Sequence, residues 1–578
     1  MSHFVKKVPT TEEERAAIEA EKAKKLQILT ALTQKIQKKV DAGELDNEFL
    51  EYTAHILRKN PNIQTLFNLR RDALLKMMER RTEESEEAWE TRVGELCNVE
   101  LALALEALKK DCKSYNAWFH RFWAFELHPK RDVAAEIANC DMALKLDQRN
   151  FHAWDHLRSV AKLVKLGSQE AVDFSEKRLK EDVSNYSAYH YRATELPNVK
   201  PDLEHGMKIS VAALCEEIER LHHGPCFTEP KDQSPWRYAL QLLDQATTDQ
   251  RPAETVLLSV TTKSVVFSRP VGRKNIPDYV QIDDDTLAAT RCPRGTGQFV
   301  VDTNWEFTNE PEQVVIRSTG DVVKEGERYV NRRAIESIFS PSAAKTPLAE
   351  PPFRAFMDDC DAILEVEPAC FWPLYFKTEC MEKLGDSMTN YDAVIANYRR
   401  MAELDPKRKN VYRFKASVLS IRKALLVDKH NVEAEKTQLE AILNGRGDLK
   451  LRGYEITDIT KLYPIAGLIT DLDLAETGFA DAEQLRWMSG VEHVDLQGSS
   501  LEMIPGDLHL RHLTFLSLAN TQIRTLDDVK AITCFRKLER LLICETKLVH
   551  QAKELQEFLA SLRGDGETPI RVISHWLY

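Results

Sequence analysis

The chain has 578 residues, of which 43% are hydrophobic and 29% are charged. That length exceeds what one hydrophobic core supports and predicts about three to five domains or a repeat array. The composition excludes a disordered or fibrous protein. Lys and Arg number 79 against 91 Asp and Glu, a formal net charge of −12. This balance argues against a nucleic-acid partner, because phosphate binding needs a basic surface.

The cysteines and the apolar residues predict a cytoplasmic protein. The 11 cysteines stand singly, with no C-x-x-C spacing, so we expect reduced thiols rather than disulfides or a metal site. The N-terminal sequence contains no apolar stretch of the kind that forms a signal peptide. No run of about 18 uncharged apolar residues occurs in the sequence, so we expect no stable membrane insertion.

The N-terminal region has a helical pattern as far as about residue 245. Thr10 or Thr11, followed by Glu13 and Glu14, predicts a capping-box start for a helix that ends near Gly43. Apolar residues then recur at helical spacing, and prolines, which lack an N–H, mark the predicted turns between helices. These prolines are Pro61, Pro129, Pro197 and Pro225.

Three segments of this region resemble one another, namely SYNAWFHR (114–121), NFHAWDHLR (150–158) and NYSAYHYR (185–192). Their aromatic centres, Trp118, Trp154 and Tyr189, are 36 and 35 residues apart. A period near 35 predicts helical hairpins stacked into a solenoid, with Asn or Ser as a helix N-cap and the aromatic ring packed between hairpins. Weaker copies surround Phe67, Trp236 and Trp372.

An arginine follows the aromatic residue by three positions in several of these repeats. The arginines are Arg70, Arg121 and Arg192. We predict that their guanidinium groups bind carbonyl and carboxylate oxygens of the adjacent hairpin, because a buried guanidinium needs such partners. Leu157 and Ala239 take the same position in two other repeats.

Between about 246 and 345 the pattern changes to short runs of β-branched and aromatic residues bounded by turn residues. The runs are TVLLSVTTKSVVFS, DYVQIDDDTLAAT, GQFVVDTNWEFT, EQVVIRST and ERYV. Such a series of short strands predicts a β-sandwich of immunoglobulin-like type. The helical pattern resumes after Pro351 and Pro352, so we predict that the sandwich is inserted into a loop of the helical array.

The C-terminal third contains four similar segments, LDLAETGF (472–479), VDLQGSSL (494–501), LSLANTQI (516–523) and LLICETKL (541–548), with steps of 22, 22 and 25 residues. This spacing predicts a leucine-rich repeat domain, in which short strands line one face and leucines fill the core. Asn520 takes the repeat position where we expect an asparagine that binds the backbone. The other three repeats have Glu476, Gly498 and Glu545 at this position instead of asparagine. Modules of this kind usually bind proteins.

Two cationic or titratable residues lie beside predicted helix N-termini, Lys113 before one helix and His152 at the start of another. A helix N-terminus with such a neighbour can bind an anion, although a solvated lysine and a packing histidine explain these positions better from the residues alone. His152 and His156 are four residues apart, like a pair of metal ligands. No third ligand follows at a plausible spacing, so we predict no metal site.

The Asn-aromatic-x-Ala-Trp-x-x-Arg repeat at a 35-residue step resembles the repeats of protein prenyltransferase alpha subunits, over about 45–240 and 350–425. Tetratricopeptide arrays have a similar period, but their Trp/Leu-Gly/Tyr signature is absent from this sequence. The order of the helical, β-sandwich and leucine-rich modules is similar to that of the branch of the family that acts on Rab GTPases.

With this resemblance, the predicted fold is multi-domain and mainly α. It is an α-α superhelix of prenyltransferase alpha repeats with an inserted immunoglobulin-like β-sandwich and a C-terminal leucine-rich repeat domain. The predicted boundaries are 1–245 for the first part of the helical solenoid, 246–345 for the sandwich, 346–445 for the continued solenoid and 446–578 for the leucine-rich repeats.

The resemblance also implies an enzyme subunit, the alpha subunit of a heterodimeric protein geranylgeranyltransferase that is active only with a beta subunit. In the family, the beta subunit is an α/α barrel that holds the lipid and a zinc ion, so no cofactor is expected in this chain. The zinc activates a C-terminal cysteine of a Rab GTPase as a thiolate, which attacks geranylgeranyl diphosphate. A Rab escort protein presents the Rab substrate and docks on the helical repeats.

By position in the repeat, Lys113 matches the family's lysine that contacts the diphosphate, and its charge would stabilise the leaving group in the transition state. Tyr115 and His152 match neighbouring residues that face the same site and would bind the diphosphate or shape its opening. Two other interpretations stay open. One is a non-catalytic helical-repeat scaffold. The other is the alpha subunit shared by farnesyltransferase and type I geranylgeranyltransferase, against which the two added modules argue.

Overall fold

The computed structural model describes most of the chain, with gaps. The described residues are 11–204, 207–222, 224–246, 254–281, 287–289, 304–307, 314–317, 322–325, 327–339, 350–385, 390–427, 437–506, 508–561 and 569–575. They fall into two compact units, Met1–Val199 and Lys200–Tyr578.

The first unit is helical in its described residues. Its helices are α1 (Glu12–Ala42), α2 (Asn47–Leu57), α3 (Gln64–Met78), α4 (Glu86–Lys110), α5 (Tyr115–Leu127), α6 (Val133–Leu146), α7 (Phe151–Val164), α8 (Ser168–Glu181) and α9 (Tyr186–Val199). The predicted capping box at the start of α1 is confirmed for Thr11 and Glu14, since each side chain accepts a hydrogen bond from the other's backbone N–H. Gly43 ends α1 in a left-handed conformation with φ of 72°, which a glycine adopts without steric cost.

Successive helices of the first unit pair as hairpins, in which α2 packs on α3, α4 on α5, α6 on α7 and α8 on α9. The second helices also contact each other from one hairpin to the next, α3 with α5 and α5 with α7. The aromatic residues at the repeat centres, Phe67, Trp118, Trp154 and Tyr189, are buried. The predicted stacking of helical hairpins around these rings is therefore confirmed for this unit.

The second unit contains further helices on either side of the inserted strands. They are α10 (Val211–His222), α11 (Pro225–Thr228), α12 (Gln233–Ala246), α13 (Arg332–Phe339), α14 (Glu350–Val366), α15 (Phe371–Lys383), α16 (Tyr391–Leu404), α17 (Lys409–Leu426), α18 (Gln438–Leu443) and α19 (Ala552–Ser561). Helix α10 packs on α14 and α12 packs on α15, and the ring of Trp236 stacks on that of Phe356 at 5.5 Å. The helices before and after the inserted strands therefore contact each other directly.

The inserted region forms an antiparallel sheet and a separate pair of strands. Its strands are β1 (Leu257–Val260), β2 (Ser264–Phe267), β3 (Val280–Gln281), β4 (Leu287–Ala289), β5 (Asn304–Phe307), β6 (Val315–Ile316), β7 (Val323–Glu325) and β8 (Arg328–Val330). The sheet has the order β4-β5-β2-β1-β8-β7, and β3 pairs with β6. Residues 297–303 of the predicted GQFVVDTNWEFT strand lie outside the described residues. Val265, Phe267 and Trp305 pack with Val280 in a core between the sheet and the pair.

The C-terminal part is a parallel sheet of short strands. They are β9 (Asp448–Lys450), β10 (Asp471–Asp473), β11 (His493–Asp495), β12 (Phe515–Ser517), β13 (Arg540–Leu542) and β14 (Arg571–Ile573), in sequential order across the sheet. The four predicted repeats supply β10 to β13, whereas the sequence pattern did not reveal β9 and β14. The middle residue of each strand, such as Leu472 or Val494, belongs to the hydrophobic core.

The turn that follows each of the first five strands has one residue in a left-handed conformation. These residues are Gly453, Glu476, Gly498, Asn520 and Glu545. The predicted role of Asn520 is therefore wrong, because Asn520 is exposed at this turn position. The next residue, Thr521, is the buried one, and its hydroxyl donates to the carbonyl of Leu518 at 2.7 Å.

The antiparallel sheet and the parallel sheet share one hydrophobic core. Val266 of β2 and Val330 of β8 belong to the same buried cluster as Leu472 of β10. A polar contact also joins the two sheet regions, since Lys263, between β1 and β2, donates to the carbonyl of Gly490, between β10 and β11, at 3.0 Å.

Two residues of the helical pattern lie elsewhere than predicted. Pro197 is inside the last turn of α9 rather than in a turn between helices. Trp372 is only half-buried at the second position of α15. Leu374, four residues after the N-cap Cys370, is the buried residue in the place that Trp118 and Trp154 take in their helices. The aromatic sequence of this segment suggested a register two residues too early.

Candidate functional site

The site predicted from the sequence lies where the chain enters α5 and α7. The hydroxyl of Ser114 accepts a hydrogen bond from the N–H of Ala117 at 3.3 Å, and the side-chain oxygen of Asn150 accepts one from the N–H of His152 at 3.1 Å. The predicted N-caps are thus confirmed. Ser114 also donates to the carbonyl of Pro61 at 2.8 Å, so the cap is tied to the preceding hairpin. These bonds fix the turns that carry Lys113 and His152.

Lys113 is an exposed cation at the start of α5. Its side chain is 62% exposed, and its ammonium nitrogen lies 3.0 Å from a carboxylate oxygen of Asp147, just after α6. The hydrogen bond and the charge of Asp147 raise the pKa of Lys113. The backbone N–H of Lys113 donates to the Asp111 carboxylate at 3.0 Å. Lys113 is therefore held at both its backbone and its ammonium group, and it stays fully charged near neutral pH.

Tyr115 and His152 are in direct contact. Their rings meet edge-on with centroids 4.2 Å apart, and the ring of Phe151 packs on His152 at 3.9 Å. His152 is 7% exposed, whereas Tyr115 is 68% exposed. Burial is the main cause that lowers the pKa of His152, and the charge of Lys113 adds to this effect. The structure thus brings the three predicted residues to one end of two adjacent helices, with His152 neutral at pH 7.

The residues predicted to be structural occupy equivalent places in successive repeats. The indole N–H of Trp118 donates to the carbonyl of Cys112 at 2.9 Å, that of Trp154 to Gln148 at 3.0 Å, and that of Trp236 to Pro230 at 3.0 Å. In each case the acceptor lies six residues before the tryptophan. Each ring therefore ties the turn before its helix to the core, which explains why tryptophan recurs at this position.

Arg70 and Arg121 each bind a buried carboxylate of the next hairpin, as predicted, whereas Arg192 binds α8 of its own hairpin. Arg121 makes two hydrogen bonds to Glu136, at 2.7 and 2.6 Å, and a third to the carbonyl of Leu101 at 2.8 Å. Arg70 binds Glu100, with nitrogen–oxygen distances of 3.0 and 2.5 Å. Arg192 lies 3.3 Å from a carboxylate oxygen of Glu176 and donates to the carbonyl of Val172 at 3.4 Å.

A histidine, whose role the repeat pattern did not reveal, completes each of two arginine–glutamate pairs. His120 lies 2.8 Å from Glu100, and His156 lies 2.5 Å from Glu136. Burial alone would raise the pKa of Glu136, but the hydrogen bonds from His156 and Arg121 outweigh it and lower that pKa. The 36-residue step between the two glutamates and between the two histidines was the available signal.

We searched the part of the chain that the structure describes for groups of metal ligands and for membrane-spanning helices. No group of three or more His, Cys, Asp or Glu side chains is arranged to hold a metal ion there. The Nε2 atom of His156 lies 2.5 Å from a carboxylate oxygen of Glu136. No helix among the described residues is both long enough and apolar enough to cross a membrane.

Comparison with known proteins identifies the repeats. The family model for the protein prenyltransferase alpha subunit repeat matches residues 97–128 and 133–163, which contain α5 and all but the last residue of α7. The geranylgeranyl transferase type-2 subunit alpha of Bos taurus is 28% identical over 96% of this chain and 98% of the bovine protein. The protein of the same name from Homo sapiens is 28% identical over 94% of this chain and 92% of the human protein.

A further relative shares a higher identity over a shorter alignment. The geranylgeranyl transferase type-2 subunit alpha of Dictyostelium discoideum is 30% identical over 41% of this chain and 73% of that protein. The solved Candida albicans protein geranylgeranyltransferase-I complexed with GGPP has a TM-score of 0.39 at 13% identity, over 72% of this chain and 95% of the solved chain, a likeness too weak to support an assignment. On the repeats and the curated relatives, the chain belongs to the protein prenyltransferase alpha subunit family, with the geranylgeranyl transferase type-2 alpha subunits.

Proposed function

We propose that this chain is the alpha subunit of a type-2 protein geranylgeranyl transferase, which works only as a heterodimer with a beta subunit. The observation that carries the proposal is the match of 96% of the chain with 98% of the bovine relative. That match extends beyond the helical hairpins into the regions that form both sheets. The substrates are the C-terminal cysteines of Rab GTPases, presented by a Rab escort protein in the cytoplasm. The order of the modules along the chain supports this choice of substrate.

In the reaction, the cysteine sulfur forms a bond to C1 of the geranylgeranyl chain while the bond from C1 to the diphosphate oxygen breaks. The diphosphate leaves with the electron pair of that bond. A zinc ion on the beta subunit supplies the cysteine as a thiolate when it is bound. The contribution of this chain is positive charge beside the leaving diphosphate, which stabilises the transition state more than the bound substrate.

Lys113 is suited to that role by its exposure and by the weakness of its ion pair. Its recorded partner is Asp147, at 3.0 Å. An exposed ion pair contributes little to stability, so a diphosphate with several negative charges can displace Asp147 or share the ammonium group with it. Asp147 raises the pKa of Lys113 in the free chain, and a bound diphosphate is likewise an anion that favours the charged form, so the ammonium group carries its charge in both states.

Tyr115 and His152 would complete the diphosphate site. The Tyr115 side chain is largely exposed, and its hydroxyl is a neutral donor that can bind a phosphate oxygen. His152, which burial keeps neutral at pH 7, supports the ring of Tyr115 edge-on. We assign hydrogen bonding to Tyr115 and positioning of Tyr115 to His152.

The test of Lys113 is its replacement in the heterodimer. We expect Lys113→Ala to lower the single-turnover rate of geranylgeranyl transfer by about 10²-fold, the size of effect that follows loss of one preorganised charge stabiliser. Binding of geranylgeranyl diphosphate should weaken much less. Lys110→Ala, at the exposed end of α4, is the matched control and should leave the rate unchanged. An unchanged rate for Lys113→Ala would favour a scaffold without a catalytic contribution.

The choice of substrate has its own test. We expect the heterodimer to modify a Rab GTPase in the presence of the Rab escort protein and to leave short C-terminal cysteine-box peptides unmodified. Efficient modification of such peptides without the escort protein would instead indicate the alpha subunit that farnesyltransferase and type I geranylgeranyltransferase share.

The two sheet modules make protein contacts in this proposal. The region of β1 to β8 is assigned as an immunoglobulin-like sandwich, supported by its antiparallel strands and by the core between the sheet and the β3–β6 pair. The region of β9 to β14 is assigned as leucine-rich repeats, supported by the parallel pairing of successive strands and by the buried hydroxyl residues Thr477, Thr521 and Thr546 at one repeat position.

A further inference from the structure

The parallel sheet of the second unit has one face that turns away from its hydrophobic core. The middle residue of each strand points into the core, so the first and third residues point to the opposite face. The strand pairing places the first residues in one row across the sheet. From β9 to β14 this row consists of Asp448, Asp471, His493, Phe515, Arg540 and Arg571. Negative charge lies at one end of the row and positive charge at the other.

The first three strands make their end of the face acidic. The third residues of β10 and β11, Asp473 and Asp495, lie opposite each other in the sheet. They are on the same face as Asp471 and His493, the first residues of these two strands. The guanidinium group of Arg452 binds Asp473 at 3.2 Å, Asp495 at 3.0 Å and Glu476 at 3.1 Å. Lys450, the third residue of β9, is the other cation at this end. Against these two cations stand the five carboxylates of Asp448, Asp471, Asp473, Glu476 and Asp495, so this end of the face keeps a net negative charge.

The last three strands carry apolar and cationic side chains. The guanidinium carbon of Arg540 lies 5.0 Å from the centre of the Phe515 ring. Leu542 and Ile573, in the second row of the same strands, are half-buried. Among the described residues, no ion pair joins Arg540 or Arg571 to a carboxylate, and both side chains are exposed. This end of the face thus offers two cations without carboxylate partners beside an apolar patch.

We propose that this face binds an extended polypeptide segment with basic residues at one end and acidic residues next to an apolar side chain at the other. The basic end would lie over β9 to β11. The acidic end would bind Arg540 and Arg571, with the apolar side chain on Phe515, Leu542 and Ile573. Six strands about 4.8 Å apart span about 24 Å, which an extended segment of about seven residues covers.

The separation of charge argues for a polypeptide of this kind over other occupants. A nucleic acid would place phosphates over the acidic strands, where like charges repel. A uniformly basic or acidic peptide would fit only one end of the face. Charge complementarity of this type mainly fixes orientation and accelerates association, so binding should weaken as the salt concentration rises. The proposal concerns the second unit and does not depend on the transferase activity.

The test uses the full chain and two labelled synthetic peptides of identical composition, each about eight residues long. One has lysines at one end and a Leu-Phe pair with aspartates at the other, and its scrambled counterpart alternates the charges. We expect the segregated peptide to bind at least about tenfold more tightly in fluorescence anisotropy at low salt. Arg540→Glu combined with Arg571→Glu should remove that preference.

The matched control is Lys530→Glu combined with Lys553→Glu, which changes the net charge equally; both lysines are exposed, and Lys530 lies between β12 and β13. Lys553 lies on α19, whose Leu555 and Leu559 pack into the core on the other side of the sheet. This control should leave the peptide preference intact, and thermal unfolding should show that both double variants are folded. Equal affinity for the two peptides, absence of binding to either, or an equal loss in both double variants would overturn the proposal.

Discussion

The Arg121–Glu136 pair is buried, with 4% and 3% of the side chains exposed, and removal of one partner leaves the other charge unpaired inside the unit. We predict that Glu136→Gln lowers the free energy of unfolding by about 3–5 kcal/mol, as measured by urea denaturation. Glu106→Gln is the control, because Glu106 pairs with Arg58 at the surface, and it should cost less than about 1 kcal/mol. Equal losses in the two variants would contradict the role given to burial.

His512 links the stability of the second unit to pH. Burial and the charges of Lys263 and Lys537 lower the pKa of His512 to about 4, below the value of about 6.5 for an unfolded histidine. Folding therefore favours the neutral ring. This stabilisation is fully present above about pH 6.5 and is lost as the pH falls towards about 4.

The corresponding measurement is hydrogen exchange in β11 and β12 at pH 7.5 and pH 5. We predict that His512→Gln reduces the loss of protection at the lower pH, after correction for the intrinsic exchange rate. His509→Gln, at an exposed position close by, should behave like the unsubstituted chain. The same pH dependence in all three proteins would show that His512 is not the responsible group.

At the scale of single elements, the end of α7 stores a small amount of backbone strain. Lys165 caps α7 in a left-handed conformation with φ of 53°, which an L-residue other than glycine adopts at a cost of about 1–2 kcal/mol. We predict that Lys165→Gly raises the free energy of unfolding of the first unit by about 1 kcal/mol, because glycine tolerates this conformation.

Lys162→Gly is the matched control for that prediction, since Lys162 is an exposed helical residue one turn earlier. There glycine should destabilise by about 1 kcal/mol, because it lowers helix propensity without relief of strain. Changes of the same sign in the two variants, measured by thermal unfolding, would rule out the cap as the cause.

At the scale of the whole second unit, the antiparallel and parallel sheets should unfold together because they share a core. Val266 packs in the core that contains Leu472, whereas its neighbour Val265 points to the opposite face and packs with Trp305. We predict that Val266→Ala, which removes two methyl groups at about 0.8 kcal/mol or more each, lowers hydrogen-exchange protection in β10 and β11.

Val265→Ala is the control in the same strand. It should lower protection within the antiparallel sheet and leave β10 and β11 close to their normal protection. If Val266→Ala left β10 and β11 unchanged, the two sheets would not form one cooperative unit.

Local periodicity predicted the elements whose role repeats along the chain. Three features follow from the repeat, because each hairpin places equivalent residues in equivalent surroundings. They are the N-caps Ser114 and Asn150, the burial of Trp118 and Trp154, and the binding of Arg121 to a carboxylate. The spacing of 35 to 36 residues between the central aromatic residues therefore predicted which side chains are buried as well as the length of the repeat.

The sequence pattern failed where a residue's surroundings come from a distant segment or a different helix register. Leu374 rather than Trp372 fills the buried position of α15, and residue type alone does not reveal that shift. The strands β9 and β14 lie at the ends of the parallel sheet, where the leucine pattern weakens. His120 and His156 complete buried ion pairs with glutamates of neighbouring helices, and no spacing within one helix shows this.

The sequence by itself determined the helical hairpins, the change to strands and the family, because these depend on short-range periodicity and on residue types that recur. Only the tertiary structure decided that Lys113 pairs with Asp147, that His152 is buried against Tyr115, and that the inserted strands share a core with the parallel sheet. The physical reason is that burial, pKa and ion pairing depend on which segments meet in space, and those contacts join residues that are far apart in the chain.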